Sequence, residues 1–300
     1  MTAHPPAPER AAPPQPYRWS LSRSGGTREA RLGTLAAGAG TAEPWHLPEL
    51  TVCTGKVLAR AHAADLCFVG RSLDSMYDLL TGALEDADGT VRLLRLPLSG
   101  LHGRYGQRER RRLREHLAAA GLEPYALARR RRPVALADVV AGGGTFDTLH
   151  RELAAWIAES REPWPVVRRK LRYVGVTVRG RTSPHHWRWQ QSPQSAPWVR
   201  TLPAGHVVNV SLPYRVWTYY GDHQPKLHRA FPATRWFDDA ATAPWHHDEL
   251  PSALRESLAL VAAGRTRAVR GGLVRTLAAE PAFADRDVRA LAGALRGRGR

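Results

Sequence analysis

PVALADVVAGGGT, residues 133–145, is the stretch on which the fold turns. From 134 to 140 every residue is apolar except Asp138, a short run that suits a strand buried on both faces. Three glycines and Thr145 end it, and Phe146, Leu149, Leu153 and Trp156 or Ile157 then recur at helical spacing. The reading is strand, glycine loop, helix.

The same grammar repeats on either side. A helix-like stretch spans 56–64, and Leu66, Cys67, Phe68 and Val69, bounded by Asp65 and Gly70, read as a second buried strand. Ser72 is placed to cap a helix whose apolar face is Leu73, Met76, Tyr77, Leu80 and Leu84. Residues 90–98 read as a strand, 106–120 as an arginine-laden helix and 171–178 as a further strand. This repeated β-α order predicts an α/β fold, an open and mainly parallel sheet with helices on both faces.

Residues 1–45 are rich in Pro, Ala and Gly with few large aliphatics, and read as a disordered arm. The α/β core is expected over 46–180. Six of the ten tryptophans (Trp187, Trp189, Trp198, Trp217, Trp236 and Trp245) fall within 181–250, read as a Trp- and Arg-rich cap or a continuation of the core, with a strand at 206–212. Residues 251–300 read as a helical C-terminal appendage, with Asp285 or Asp287 as cap of the last helix.

Lys and Arg total 44 against 27 Asp and Glu, a formal charge of +17, and only Lys56, Lys170 and Lys226 are lysines. Such a balance suits polyanionic ligands, from a phosphorylated small molecule to nucleic acid, and equally a solvated surface. Two cysteines, Cys53 and Cys67, lack metal spacing and disulfide density, which points to free thiols in a reducing cytoplasm. No apolar stretch approaches the ~18 to 20 residues that span a bilayer, so no membrane partner is expected.

The chemistry lies at strand ends. Glycines let backbone N–H groups converge on an oxyanion, and the positive end of the following helix adds to the attraction. Gly142, Gly143, Gly144 and Thr145 therefore suit a phosphate, with Thr145 as cap or donor. Asp138, at the carboxyl end of its strand, lies where open α/β sheets bind ligands and can accept from ribose hydroxyls.

The segment resembles the ribose-phosphate motif of type I phosphoribosyltransferases, in which an apolar run, acids and a short Thr/Gly loop follow one another. Ala137 stands where that family has the first of two acids, and Ala141 where some purine-salvage members carry a carboxylate. Phe68, Val69, Gly70, Arg71 and Ser72 resemble the family's pyrophosphate loop, in the same order along the chain. The resemblance covers roughly residues 50–180. It implies a 5-phosphoribosyl donor such as phosphoribosyl pyrophosphate, or a related sugar phosphate or nucleotide, with Mg²⁺ bridging the pyrophosphate. It also implies catalytic roles for Asp138 and Arg104, and donor contacts from Gly70, Arg71, Ser72, Asp138, Ala141 and Gly142 to Thr145. Arg71 and Arg104 would offset charge on the departing pyrophosphate.

Two other readings stay open. A noncatalytic nucleotide sensor or RNA- or DNA-binding protein would use the basic runs at 108–114 and 129–132 and stack bases on the tryptophans. A methyltransferase would use 138–144 as its nucleoside loop, although Val140 replaces an expected glycine and no acid ends the strand at 171–178. His185, His186, His246, His247 and Asp248 invite a zinc reading for which spacing supplies no third partner. A homodimer stays open.

Overall fold

A computed structural model describes residues 44–87, 89–96, 98, 101, 104–180, 188–227 and 248–297. The expected arm at 1–43 and the histidine pairs at 185–186 and 246–247 lie outside them. In chain order the main elements are α1 (Leu47–Arg60), β1 (Asp65–Val69), α2 (Asp74–Ala83), β2 (Leu93–Leu96), α3 (Gln107–Ala119), α4 (Pro124–Arg129), β3 (Val134–Val139) and α5 (Gly144–Glu159). There follow α6 (Trp164–Val167), β4 (Leu171–Val178), α7 (Ser195–Val199), β5 (Val207–Leu212), α8 (Tyr214–Thr218), α9 (Leu250–Arg265), α10 (Arg267–Ala279) and α11 (Arg286–Arg296).

The strands form one parallel sheet in the order β2-β1-β3-β4-β5. The chain steps from β1 outward to β2, then crosses back past β1 to β3. The strand order therefore reverses between β1 and β3, and a crevice opens outside their carboxyl ends. In α/β proteins of this order ligands bind at that point.

Burial on both faces explains the continuous apolar runs. Leu66 and Phe68 of β1 join Ala135, Ala137, Val174, Val176, Val210 and Leu212 beneath α1, α2 and the C-terminal helices. Cys67 and Val69 point the other way and join Leu136, Tyr173 and the apolar sides of α3, α4 and α5. Both thiols are free and buried, and burial pushes each up to about 12.

The helices at 250–296 form part of the main core. Leu260, Leu273, Leu277, Leu291 and Leu295 belong to the same buried cluster as β1 and β3. Helix α9 lies against α2 so closely that a Cβ on Gly82 would stand 2.0 Å from the Val261 carbonyl, and one on Gly264 2.1 Å from that of Leu79. The segment after β4 supplies β5, the edge strand of the sheet, and then crosses back toward β1. Among the described residues no helix is long and apolar enough to cross a membrane.

Two of the basic runs have structural work to do. Asp65, 1% exposed at the amino end of β1, is met by Arg92, Arg130 and Arg132. Arg129 stacks on Tyr125 and pairs with Glu162 at 2.9 Å. On α3, Arg110 meets Glu152, Arg112 meets Glu115 and Arg114 meets Glu159. A charge run is thus partly a set of local ion pairs. The tryptophans Trp189 and Trp198 likewise pack against the sheet, Trp198 stacking on His150 at 4.3 Å with burial holding that imidazole down at about 4.

Candidate functional site

The crevice is built by two loops. The first leaves β1 as Gly70, Arg71 and Ser72, and Gly70 adopts a φ of +69°, which glycine takes without steric cost. The second leaves β3 as Val140, Ala141, Gly142 and Gly143 and opens α5. Parallel pairing of β1 with β3 sets the two side by side.

Three of the expected residues converge there. The Ser72 hydroxyl donates to Asp138 Oδ1, and the Val139 amide donates to the same oxygen at 2.7 Å. A Cβ on Gly70 would lie 4.0 Å from that oxygen. Asp138 is 7% exposed, and its burial pushes the carboxyl up to about 7 although both hydrogen bonds favour the ionised form. A carboxyl placed so can accept from a hydroxyl when ionised and donate when protonated.

Ser72 was expected to cap α2. Leu73 holds the cap position instead, because the Ser72 hydroxyl is turned to Asp138. Thr145 likewise stands inside the first turn of α5, with Gly143 as cap at a φ of +87°. A left-handed cap is open to glycine and strained for threonine.

The glycine loop has a closed side and an open one. A Cβ on Gly143 would stand 2.7 Å from the Trp189 ring and 3.3 Å from Ser195 Oγ. Trp189 is wedged between Gly143 and Gly175 and donates its indole N–H to Asn209 at 2.7 Å. Asp147, one turn into α5, accepts from Ser195 at 2.6 Å and from the Trp198 indole at 2.8 Å. On the other side Ala141, Gly142 and Gly144 are exposed, and a Cβ on either of these glycines would meet nothing within 4 Å.

Arg71 lies in the β1 loop but is buried, 5% exposed. Burial lowers its pKa and the neighbouring Asp74 opposes that fall, so the guanidinium is part of the packed base of the loop and not a solvated surface charge. Arg104 is exposed in the connection before α3, and no contact among the described residues joins it to Asp138 or Ser72.

Sequence reasoning missed the third wall. Gln224, 1% exposed, donates from Nε2 to the Ser72 carbonyl at 2.9 Å and to the Tyr220 carbonyl at 2.7 Å. Lys226, also buried, pairs with Asp78 at 2.8 Å and with Glu256 at 3.4 Å. Glu256 also accepts from Ser75 at 2.8 Å and from the Tyr219 hydroxyl. No local pattern signals a contact that spans some 150 residues.

A separate open groove of about 970 Å³ runs along the outer side of α3 and α5, lined by Arg108, Arg110, Arg111, Arg114, Trp156 and Glu159 among others. Its lining is remote from the glycine loop, and acids share it with the arginines. Comparison with family models, with curated proteins and with solved structures returns no match, so the site is defined by its own geometry.

Proposed function

We propose that the crevice binds a 5-phosphoribosyl compound and serves transfer of the phosphoribosyl group to an acceptor. The observation that carries this reading is the open side of the glycine loop, Ala141, Gly142 and Gly144, at the amino end of a 16-residue helix beside the buried Asp138–Ser72 pair. Backbone N–H groups and the helix dipole favour a dianionic phosphate there. Asp138 supplies the carboxyl that a ribose diol would meet, and Gly70 to Ser72 form the loop after the neighbouring strand where a pyrophosphate would rest.

A magnesium ion fits this donor set as a passenger on the substrate, since magnesium takes one or two carboxylates, substrate phosphates and water. Asp138 is the carboxylate that would hold it, and the ion would offset charge on the pyrophosphate. The departing group takes the electron pair of the anomeric C–O bond, and an oxocarbenium-like centre forms between the two loops. The ionised form of Asp138 would stabilise that centre through space.

The test is calorimetric titration with phosphoribosyl pyrophosphate and Mg²⁺. Saturable binding by the wild type, lost in Asp138→Ala and in Gly142→Glu, is the expected result. Because a Cβ at Gly142 meets no atom within 4 Å and the position is exposed, that variant is chosen to disturb the ligand rather than the fold. No binding by folded wild type overturns the proposal.

The arginine-lined groove favours one second reading, a noncatalytic polyanion-binding protein. That reading requires an affinity for RNA or DNA that falls steeply with salt and is lost when Arg108 and Arg111 become alanine.

A further inference from the structure

Ser72 is held at both of its polar groups. Its hydroxyl donates to Asp138 in the crevice, and its carbonyl accepts from Gln224 Nε2 at 2.9 Å. The carbonyls on either side are used by the turn itself: that of Arg71 accepts from the Asp74 amide at 3.0 Å, and that of Leu73 from the amides of Met76 and Tyr77 at 3.0 Å. At Ser72 a side chain 152 residues away takes over from this local pattern.

That bond settles a competition. Helix α2 starts with Leu73 at the cap position and no side-chain cap, and the Ser72 hydroxyl, one residue earlier, is a local group suited to the task. A serine that turned to cap α2 would leave Asp138. Gln224 fixes the peptide plane that follows Ser72 and so keeps the residue out of the helix. The orientation of its amide is dictated by chemistry, because Nε2 faces the carbonyls of Ser72 and Tyr220, which take both of its protons. At 1% exposed, the amide has no water to replace these partners. Two residues on, the buried Lys226 pairs with Asp78 of α2 and Glu256 of α9, so the arm that carries Gln224 is fastened to the helix whose start it controls.

We infer that Gln224 is a positioning residue of the crevice: by taking the Ser72 carbonyl it withholds Ser72 from α2 and keeps the Ser72 hydroxyl on Asp138. Gln224 acts through Ser72, and its consequence for donor affinity rests on the phosphoribosyl reading above. The Ser72–Asp138 pair can also be followed with no ligand present. The Val139 amide donates to Asp138 Oδ1 at 2.7 Å and stands 3.4 Å from Ser72 Oγ, so its resonance reports the pair.

The test is a double-mutant cycle on the full chain, with Gln224→Met, which fills a similar space without a donor, Ser72→Ala and the two combined. Titration with phosphoribosyl pyrophosphate and Mg²⁺ is expected to show affinity reduced about tenfold in each single variant and no further in the double. A glutamine with a merely structural role would weaken binding by the same factor in both backgrounds. Losses that multiply in the double variant therefore overturn the inference, as does wild-type affinity in Gln224→Met. Without donor, the Val139 amide resonance of Gln224→Met should move toward its position in Ser72→Ala, and a resonance that stays at the wild-type position overturns the inference as well. Should Gln224→Met fail to fold, Gln224→Asn takes its place in the cycle, since its shorter arm falls short of the Ser72 carbonyl. Absence of donor binding by wild type removes the phosphoribosyl reading, and the Val139 resonance then decides on Gln224 alone.

Discussion

Two pairs of glycines use the same residue for opposite ends. Gly82 and Gly264 let α2 and α9 touch backbone to backbone, with the space of a missing Cβ filled by carbonyl groups. Gly142 and Gly144 face open space and leave the backbone of the β3 loop bare. The first pair makes the fold and the second leaves room for a ligand. Gly143, between the open two, belongs with the closed pair, because Trp189 fills its missing side chain. Composition shows a glycine-rich loop, while the neighbours decide which glycine does what.

The contrast breaks most sharply at the helix crossing. Gly264→Ala is expected to destabilise the protein by about 4 kcal/mol in urea unfolding, since a carbonyl 2.1 Å from the new Cβ cannot rotate away as a side chain would. A loss below about 1 kcal/mol would mean that α9 slides freely on α2. Gly143→Ala comes next, at about 3 kcal/mol, from a left-handed backbone and the Trp189 contact together.

Asp138 sharpens the comparison from the ligand side. Its folded pKa, about 7, stands above the unfolded value near 3.9, so the native state holds its proton over a window where the unfolded chain has lost it. The contribution to stability is fully present below about pH 4 and is lost as pH rises toward and through about 7. Asp138→Asn should flatten that slope and raise stability at pH 8 by about 2 kcal/mol. Unfolding curves across that window, in wild type and variant, measure it. A wild-type stability that climbs from pH 4 to 7 more steeply than the variant's would contradict the assignment.

The smallest effect on stability belongs to Gly142→Ala, expected within about 0.5 kcal/mol of wild type. Thermal melts check this, and they pair with the donor titration of Gly142→Glu. Stability kept and affinity lost is the signature of a glycine spared for a ligand.

Strands whose two faces are both buried were legible in the chain. The run at 134–139 opens with four consecutive apolar residues, β1 has four after Asp65, and the strand at 171–178 is apolar but for Arg172, Gly175 and Thr177, which is enough for each to declare itself. Asp138 and the glycine loop were also legible, because a lone carboxyl in such a run and three successive glycines are local features. Ser72 was read as a helix cap, which is its commonest local role; its partner lies 66 residues away. The tryptophans of 187–245 gave no direction, since stacking platforms and packing residues share one composition.

By itself the sequence determined a parallel α/β sheet and a loop of bare backbone at the end of one of its strands, because both follow from hydrophobic patterning and from glycine's missing side chain over a dozen residues. Only the tertiary structure decided that the strand order reverses between β1 and β3, that the last three helices share the main core, and that Gln224 braces Ser72. The physical reason is range: patterning registers the solvent exposure of each residue, whereas a hydrogen bond across 152 positions depends on which surfaces the folded chain brings together.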